Sequence, residues 1–218
     1  MRSFWRVAVA AGSVTIIVGA AFAWHAHRAN VDARSLAAWV RVTRIGAQQG
    51  NVKAEYTLGT MYLYGRGVPQ DYAEAIHWYR SGADHGDAAS EYGIGYIFDT
   101  GKGVQTDFAQ AFSWYQKAAK QNNREAQCGI AAMYYEGRGV QKDWVEAAVW
   151  ERRAAENGLP HAQYDLGYMY YYGQGVGQDR VEARRWIQRA AEQGDERARS
   201  YLGTKLSPEV GGSLAIQK

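Results

Sequence analysis

The sequence has almost no cysteine and no excess of charge of either sign. Its 218 residues include one cysteine, Cys128, so an intrachain disulfide is impossible. Lysine and arginine number 25 against 22 aspartates and glutamates, and the two kinds are interspersed along the chain. Nucleic-acid binding needs a concentrated basic face, so the composition indicates no nucleic-acid partner.

Motifs for phosphate binding, metal binding and nucleophilic catalysis are also missing. The Gly-Lys-Gly sequence at 101–103 lacks the spacing to a Gly-Lys-Ser/Thr end that a Walker loop needs. The five histidines do not cluster, whereas a metal site needs three or four converging ligands. Cys128 falls inside a helical stripe, which favours a buried structural thiol over a nucleophile. We therefore expect no catalytic residue, no metal and no cofactor.

What the chain does contain is a 36-residue pattern that recurs four times without insertion or deletion. Each copy carries a Gly-X-Gly-Val sequence, followed at fixed offsets by an aspartate, an alanine and a tryptophan. The aspartates are Asp71, Asp107, Asp143 and Asp179, and the tryptophans are Trp78, Trp114, Trp150 and Trp186. A fixed period of this size indicates a solenoid, in which each unit buries its apolar face against its neighbours.

Each unit is predicted to form two helices. Ala54 and Leu58 fall on one stripe of the first helix, and Gly65 suits a left-handed C-cap because it has no Cβ to clash there. Asp71 is a candidate N-cap for the second helix. A glycine closes each unit except the second, where Asn122 stands, and asparagine also tolerates the left-handed region.

Small residues on the two helices predict close packing within a unit. Gly59 on the first helix and Ala75 on the second would let the helices approach each other, with Trp78 filling the space beside them.

The repeat also predicts the division of the chain. Half-units are expected as caps at both ends, because a terminal unit has only one neighbour. The divisions are an N-terminal segment at 1–29, a linker and capping half-repeat at 30–51, repeats at 52–87, 88–123, 124–159 and 160–195, a C-terminal half-repeat at 196–206, and a flexible tail at 207–218.

The N-terminal segment contains an uncharged apolar run at 7–24, preceded by Arg2 and Arg6. As a helix this run would be about 27 Å long, close to the ~30 Å hydrocarbon core of a bilayer. One interpretation is an uncleaved signal-anchor that holds the chain in the inner membrane through 7–24. The other is a signal peptide cleaved after Ala23, because 21–23 resembles an A-x-A site.

Charges on both sides of this run bear on which side of the membrane the repeats lie. Arginines on its C-terminal side, such as Arg28 and Arg34, would favour a cytoplasmic domain by the positive-inside rule. A very short basic N-terminal tail instead favours export of the domain on the C-terminal side of the run. We expect export, which in a bacterium means a periplasmic repeat domain.

The repeat resembles the Sel-1-like repeat, a relative of the tetratricopeptide repeat, over about residues 36–203. The first unit matches the family pattern at Ala54, Leu58, Gly59, Tyr62, Gly65, Gly67, Val68, Asp71, Ala75, Trp78, Ala83 and Gly86. It departs from the pattern at Gly82, where the family has the first of two alanines. The resemblance implies an all-α fold, a right-handed α-solenoid of antiparallel helix pairs, and a role as adaptor or scaffold in protein complexes.

One branch of this family consists of secreted, cysteine-rich proteins with a cysteine pair in each unit. This chain lacks those pairs. The difference weakens any analogy to that branch and to the β-lactamase activity proposed for it.

Tyrosine is concentrated at first-helix positions that face the concave groove in tetratricopeptide-type repeats. By that analogy, nine of the chain's 16 tyrosines lie on one surface. They are Tyr56, Tyr64, Tyr92, Tyr96, Tyr135, Tyr164, Tyr168, Tyr171 and Tyr172. Tyrosine offers a broad apolar face and a hydroxyl at low entropic cost, which suits a protein or peptide partner and also a glycan. The alternative is that several of them pack between adjacent units.

Three functions remain for comparison. The first is a non-enzymatic scaffold that binds a protein through the groove, either tethered to the membrane or exported in a bacterial envelope. The second is a secreted effector, which requires cleavage after Ala23. The third is a hydrolase, β-lactamase-like or acting on peptidoglycan, for which the sequence offers no convergent nucleophile and base.

Overall fold

The computed structural model describes residues 33–205, and every regular element within that range is a helix. The helices are α1 at 33–48, α2 Val52–Tyr64, α3 Tyr72–Asp84, α4 Ala88–Thr100, α5 Phe108–Lys120, α6 Arg124–Glu136, α7 Trp144–Glu156, α8 Pro160–Tyr172, α9 Arg180–Glu192 and α10 Glu196–Thr204. Four consecutive pairs, from α2–α3 to α8–α9, stack in chain order between α1 and α10. The predicted all-α solenoid is confirmed.

The apolar run at 7–24 and the tail at 207–218 lie outside the described residues. Within 33–205, none of the helices combines the length and the apolar character that crossing a membrane requires.

The same residue types set the helix ends in every pair. The first helices end at glycines with left-handed φ between 66° and 80°, namely Gly65, Gly101, Gly137 and Gly173. The second helices begin at the repeated aspartates, whose carboxylates accept hydrogen bonds from free backbone amides. Asn122 adopts a left-handed φ of 62°, as predicted for the closing position of the second unit.

A polar contact ties the two helices of each pair together. A turn residue after the second helix reaches a buried side chain near the start of the first helix of the same unit. The pairs are His85 Nδ1 to Glu55 Oε2 at 3.1 Å, Gln121 Nε2 to Glu91 Oε2 at 2.9 Å, Asn157 Nδ2 to Gln127 Oε1 at 2.9 Å, and Gln193 Nε2 to Gln163 Oε1 at 2.7 Å. These bonds satisfy polar groups that would otherwise be costly to bury.

The joint between neighbouring pairs is filled by one second-helix side chain. We call its place the wedge position, occupied by Tyr79, Tyr115, Glu151 and Ile187. At the first joint, Tyr79 lies between Gly59 of its own unit and Gly93 of the next. A Cβ at Gly59 would come within 2.7 Å of Tyr79 Cδ1, and one at Gly93 within 2.9 Å of Tyr79 Cε2. The two glycines therefore make the room that the ring occupies.

The prediction that Trp78 fills the space beside Gly59 is wrong. Tyr79, one residue further along α3, faces that glycine instead. Trp78 packs against the apolar cluster that contains Leu58 and Met61. Its indole nitrogen donates to Glu74 at 3.0 Å.

The wedge and its neighbours vary together along the chain. Tyr115 repeats the first joint, between Gly95 and Gly129. The third joint has Glu151 as its wedge, with an alanine and an aspartate where the first joint has its two glycines, namely Ala131 and Asp165. A shorter wedge needs less room, so these two positions can carry side chains.

We predict that Gly95→Ala destabilises the fold by about 1–3 kcal/mol, the usual cost of overpacking a close-packed site. The added methyl would lie 2.6 Å from Tyr115 Cδ1, so the ring or the helix must move. Chemical denaturation measures the change in the free energy of unfolding. The matched control is Gly203→Ala in α10, where nothing lies within 4 Å and helix propensity alone should act. Equal effects at the two glycines would contradict the wedge.

Candidate functional site

The predicted groove tyrosines fall into two groups with different surroundings. The first group lines a cavity of about 60 Å³ between the first two units, and consists of Tyr56, Tyr64, Tyr92 and Tyr96. Members of the second group, Tyr135, Tyr164 and Tyr168, line a cavity of about 320 Å³ between the third and fourth units. Tyr171 and Tyr172 lie beside the second group, with their ring centroids 4.9 Å apart.

The cavity of the first group is small because the tyrosine wedges occupy the joints. The ring of Tyr79 lies 5.8 Å from that of Tyr56, and Tyr115 stacks on Tyr92 at 5.6 Å. Burial raises the pKa of Tyr92 to about 12, so its hydroxyl stays protonated. Several of these side chains thus pack between units as well as facing the surface.

A cation from the chain itself covers part of the first group. Lys102 Nζ donates to the Tyr96 hydroxyl at 2.9 Å, and lies 4.7 Å from the centroid of that ring and 5.5 Å from the centroid of Tyr64. Aromatic faces attract an ammonium group at such distances.

The larger cavity is present where the third unit departs from the repeat. Cys128 stands at the position of Tyr56 and Tyr92, and Glu151 stands at the wedge position. The pair of neighbouring tyrosine rings found in each of the first two units is therefore missing. The space it would fill stays open between α6, α7 and α8 and is lined by both replacing residues.

Glu151 is the most unusual group of this cavity. Its side chain is only 6% exposed, and the Cys128 thiol approaches its two carboxylate oxygens at 3.6 and 3.9 Å. A thiol is a weak donor. Burial, and next the negative charge of Asp165, raise the pKa of Glu151 well above its ordinary value.

The other acidic groups around the cavity have basic partners. Asp165 accepts from Arg197 at 3.3 Å, and Glu136 forms an ion pair with Arg138, with Oε2 2.7 Å from Nε. Burial raises the pKa of Asp165, although the positive charge of Arg197 offsets part of this increase. Glu151 is thus the carboxylate of this cavity without a basic partner in the described part of the chain.

The chemistry of Cys128 is that of a protonated thiol. Burial, followed by the charge of Glu151, raises the pKa of the thiol. Nucleophilic cysteines need the opposite shift, because the thiolate is the reactive form. Within residues 33–205, moreover, no three His, Cys, Asp or Glu side chains converge in a way that could hold a metal ion.

Tyr201 of α10 extends the second tyrosine group, and reasoning from the sequence did not select it. Its ring centroid lies 5.9 Å from that of Tyr164, 6.2 Å from Tyr168 and 5.6 Å from Tyr171. Tyr172 stays about half exposed, at 47%, and contacts Tyr168 at 4.5 Å between centroids. The end of the groove is thus a continuous aromatic surface.

The sequence also missed Glu151 as a site residue, although a signal was available. Aligning the wedge position across the four units gives two tyrosines, a glutamate and an isoleucine. A charged residue at a position that is otherwise apolar or aromatic marks a departure from the structural repeat.

Comparison with known proteins gives one family and several related structures. The model of the Sel1 repeat matches residues 52–87, 88–123, 124–159 and 160–195. A Sel1 repeat protein from Oxalobacter formigenes is 34% identical with a TM-score of 0.73, over 77% of this chain and 69% of that one. No curated protein is similar enough in sequence to count as a match.

Two further structures extend the comparison. A protective antigen of uropathogenic Escherichia coli strains with an SLR fold is 38% identical with a TM-score of 0.70, over 75% of this chain. This chain spans only 35% of that antigen's length. An immunity protein from Pseudomonas aeruginosa is 22% identical with a TM-score of 0.56, over 78% of this chain and 67% of that one. At this identity the likeness shows a shared fold alone.

The raised pKa of Glu151 predicts that Glu151→Gln increases the free energy of unfolding by an amount that depends on pH. Between the ordinary value of 4.5 and the raised value, the folded protein binds a proton that the unfolded chain has released. This group's contribution to stability is therefore complete below the unfolded pKa and is lost as pH rises through the folded pKa. We expect the variant to exceed the parent by about 1 kcal/mol in free energy of unfolding above that window.

Denaturation of both proteins at several pH values measures this difference. The matched control is Glu156→Gln, an exposed position on the same helix, where we expect little dependence on pH. A difference between Glu151→Gln and the parent that stays constant with pH would contradict the buried, ionisable state of Glu151.

Proposed function

The chain belongs to the Sel1 repeat family, helical repeat proteins that bind protein partners, and from this premise we propose that it is a non-enzymatic scaffold whose partner docks on the tyrosine groove. The groove is the surface formed by the nine predicted tyrosines of α2, α4, α6 and α8, extended by Tyr201. The partner is a protein or a peptide segment of one.

The observation that carries this proposal is the aromatic surface around α8. Tyr168 contacts both Tyr172 and Tyr201, yet Tyr172 remains 47% exposed. Rigid, partly exposed tyrosines lose little entropy on binding and contribute both apolar area and hydroxyl groups. They also lie next to the cavity of about 320 Å³ between the third and fourth units.

A scaffold role agrees with the chemistry of the groove better than hydrolysis does. The one thiol of the chain lies in the groove, but its pKa is raised and its neighbour Glu151 is itself buried with a raised pKa. The thiol is thus held in its protonated form, which is not the form that a nucleophile requires.

We further propose that residues 7–24 tether the repeats to the inner membrane, with the repeats in the periplasm. This rests on the sequence of the apolar run and its flanking charges. Cleavage after Ala23 would instead release the chain into the periplasm or the medium, as an effector would require. N-terminal sequencing of the protein isolated from membranes separates the two: the tether predicts that 7–24 is retained, and a mature chain that begins at Trp24 would contradict it.

For the groove itself, we predict that Tyr168→Ala combined with Tyr172→Ala reduces crosslinked capture of the native partner by at least about tenfold. Removing two central aromatic contacts commonly costs more than 1.4 kcal/mol of binding free energy, which corresponds to that factor. Quantitative mass spectrometry after crosslinking in cells gives the measurement. Circular dichroism checks that the helices are intact.

The matched control is Val149→Ala combined with Val181→Ala, two exposed apolar residues on the second helices α7 and α9. This control should leave capture unchanged. Unchanged capture by the folded tyrosine variant would refute the groove as the docking surface.

A further inference from the structure

The loops between the helices of each pair carry a basic side chain at the centre of Gly-X-Gly in three units and a neutral one in the fourth. The residues are Arg66, Lys102, Arg138 and Gln174. Two of the basic side chains reach back to the preceding unit: Lys102 covers Tyr64, and Arg138 donates to Asp99. Gln174 also reaches back, but it accepts a hydrogen bond from the Tyr135 hydroxyl at 3.1 Å. At the joint between the third and fourth units, this loop position therefore supplies no cation.

The large cavity lies at that same place, and one carboxyl group on its wall has no basic partner among the described residues. Glu151 is buried on its wall with only the Cys128 thiol as a hydrogen-bond donor among the described residues. Arg197 and Arg138 approach from outside but are bound to Asp165 and Glu136. No lysine or arginine of the described chain lines the cavity. A buried carboxylate without a partner is costly, and a cation beside it relieves that cost.

The walls suit the remainder of a basic side chain. Tyr135, Tyr164 and Tyr168 present aromatic surface to the cavity. Such faces pack against an alkyl stem and attract its charged end. The outer face of this group already does so, because Arg197 lies 4.5 Å from the centroid of Tyr164. A volume of about 320 Å³ is at the lower limit of ligand pockets, roughly 300–1,000 Å³, and suits one side chain rather than a folded segment.

We propose that this cavity receives a lysine or arginine side chain of the docked partner, with the stem against Tyr135 and Tyr168 and the charged end beside Glu151. The inference rests on the proposed function, since the side chain arrives with the partner that binds the groove. Its charge replaces, from outside, the basic loop residue that Gln174 does not provide.

This arrangement links binding to pH. The cavity that Glu151 lines is also lined by Cys128 and Glu136 of α6 and by Tyr164, Asp165 and Tyr168 of α8, and Arg197 of α10 is bound to Asp165. The raised pKa of Glu151 favours the protonated carboxyl group in the free protein, whereas an entering cation binds beside the ionised carboxylate. Binding then releases a proton, and affinity for the basic side chain increases as pH rises through that pKa.

Cys128, the only cysteine in the chain, reports directly on the cavity that it lines. The full chain is treated with methanethiosulfonates that carry an aminoethyl group, a neutral propyl group or a sulfonatoethyl group, and each rate is divided by the rate with 2-mercaptoethanol. We expect the aminoethyl reagent to exceed the propyl reagent by about fivefold or more, from attraction by a nearby carboxylate. The ratio should increase as pH rises through the raised pKa of Glu151 and the carboxyl ionises.

Two variants change the cavity in different ways. Glu151→Gln removes the charge, and Gln174→Lys supplies the missing internal cation while leaving Glu151 in place. Both should bring the ratio of rates close to one, whereas Glu156→Gln should keep the parental ratio. Three results would each overturn the inference. The cationic and neutral reagents could react at equal rates in the parent, the parental ratio could persist in Glu151→Gln, or no reagent could modify Cys128.

Partner capture separates a failure of this inference from a failure of the proposed function. Capture that falls in the Tyr168, Tyr172 variant but persists in Glu151→Gln and Gln174→Lys leaves the scaffold role standing and refutes the basic side chain. Capture that persists in the tyrosine variant refutes the scaffold role itself, whatever the rates at Cys128.

Discussion

Every helix pair in this solenoid must bury its apolar face against the next pair, and one side chain per unit occupies the joint. Tyr79 and Tyr115 fill the first two joints so closely that the facing positions must be glycine. The cap residues and the polar contacts within each pair fix the helices, but they do not close the space between pairs. Closure depends on the wedge side chain, and so does the presence or absence of a cavity at each joint.

The third joint shows what happens when the wedge changes. Glu151 is shorter than tyrosine, Cys128 replaces the ring that would have stacked on it, and a cavity of about 320 Å³ remains. The same substitution brings a carboxylate into an apolar site, which raises its pKa and makes the joint less stable at high pH. A local arrangement that costs stability is the kind of departure expected at a functional site, and the proposed docking of a partner would account for it.

The sequence was sufficient to predict the architecture because its signals are local and repeated. Gly65 and Asp71 act through their own backbone conformation and hydrogen bonds, and the structure places both as caps. The wedge could not be assigned in this way. Whether Trp78 or the adjacent Tyr79 faces Gly59 depends on the rotation of one helix against another, which two neighbouring aromatic residues leave undecided.

The candidate site required the structure for the same reason. Nine tyrosines could be placed on one surface by analogy, but their division into a filled group and an open group depends on the wedge residues beneath them. Glu151 was visible only as an exception to the repeat, and its importance depends on burial and on the distance to Cys128. The tyrosines form the predicted surface, and the third joint adds to it an open cavity lined by the carboxyl group of Glu151.

The most direct test rebuilds the third joint in the form of the first two, by combining Glu151→Tyr, Ala131→Gly and Asp165→Gly, and measures crosslinked capture of the partner by the folded variant. A tyrosine between two glycines should close the cavity, as Tyr79 and Tyr115 do, while the exposed groove tyrosines remain in place. We expect capture to be lost although the helices are intact. Capture at the parental level would show that the open third joint is not where the partner binds.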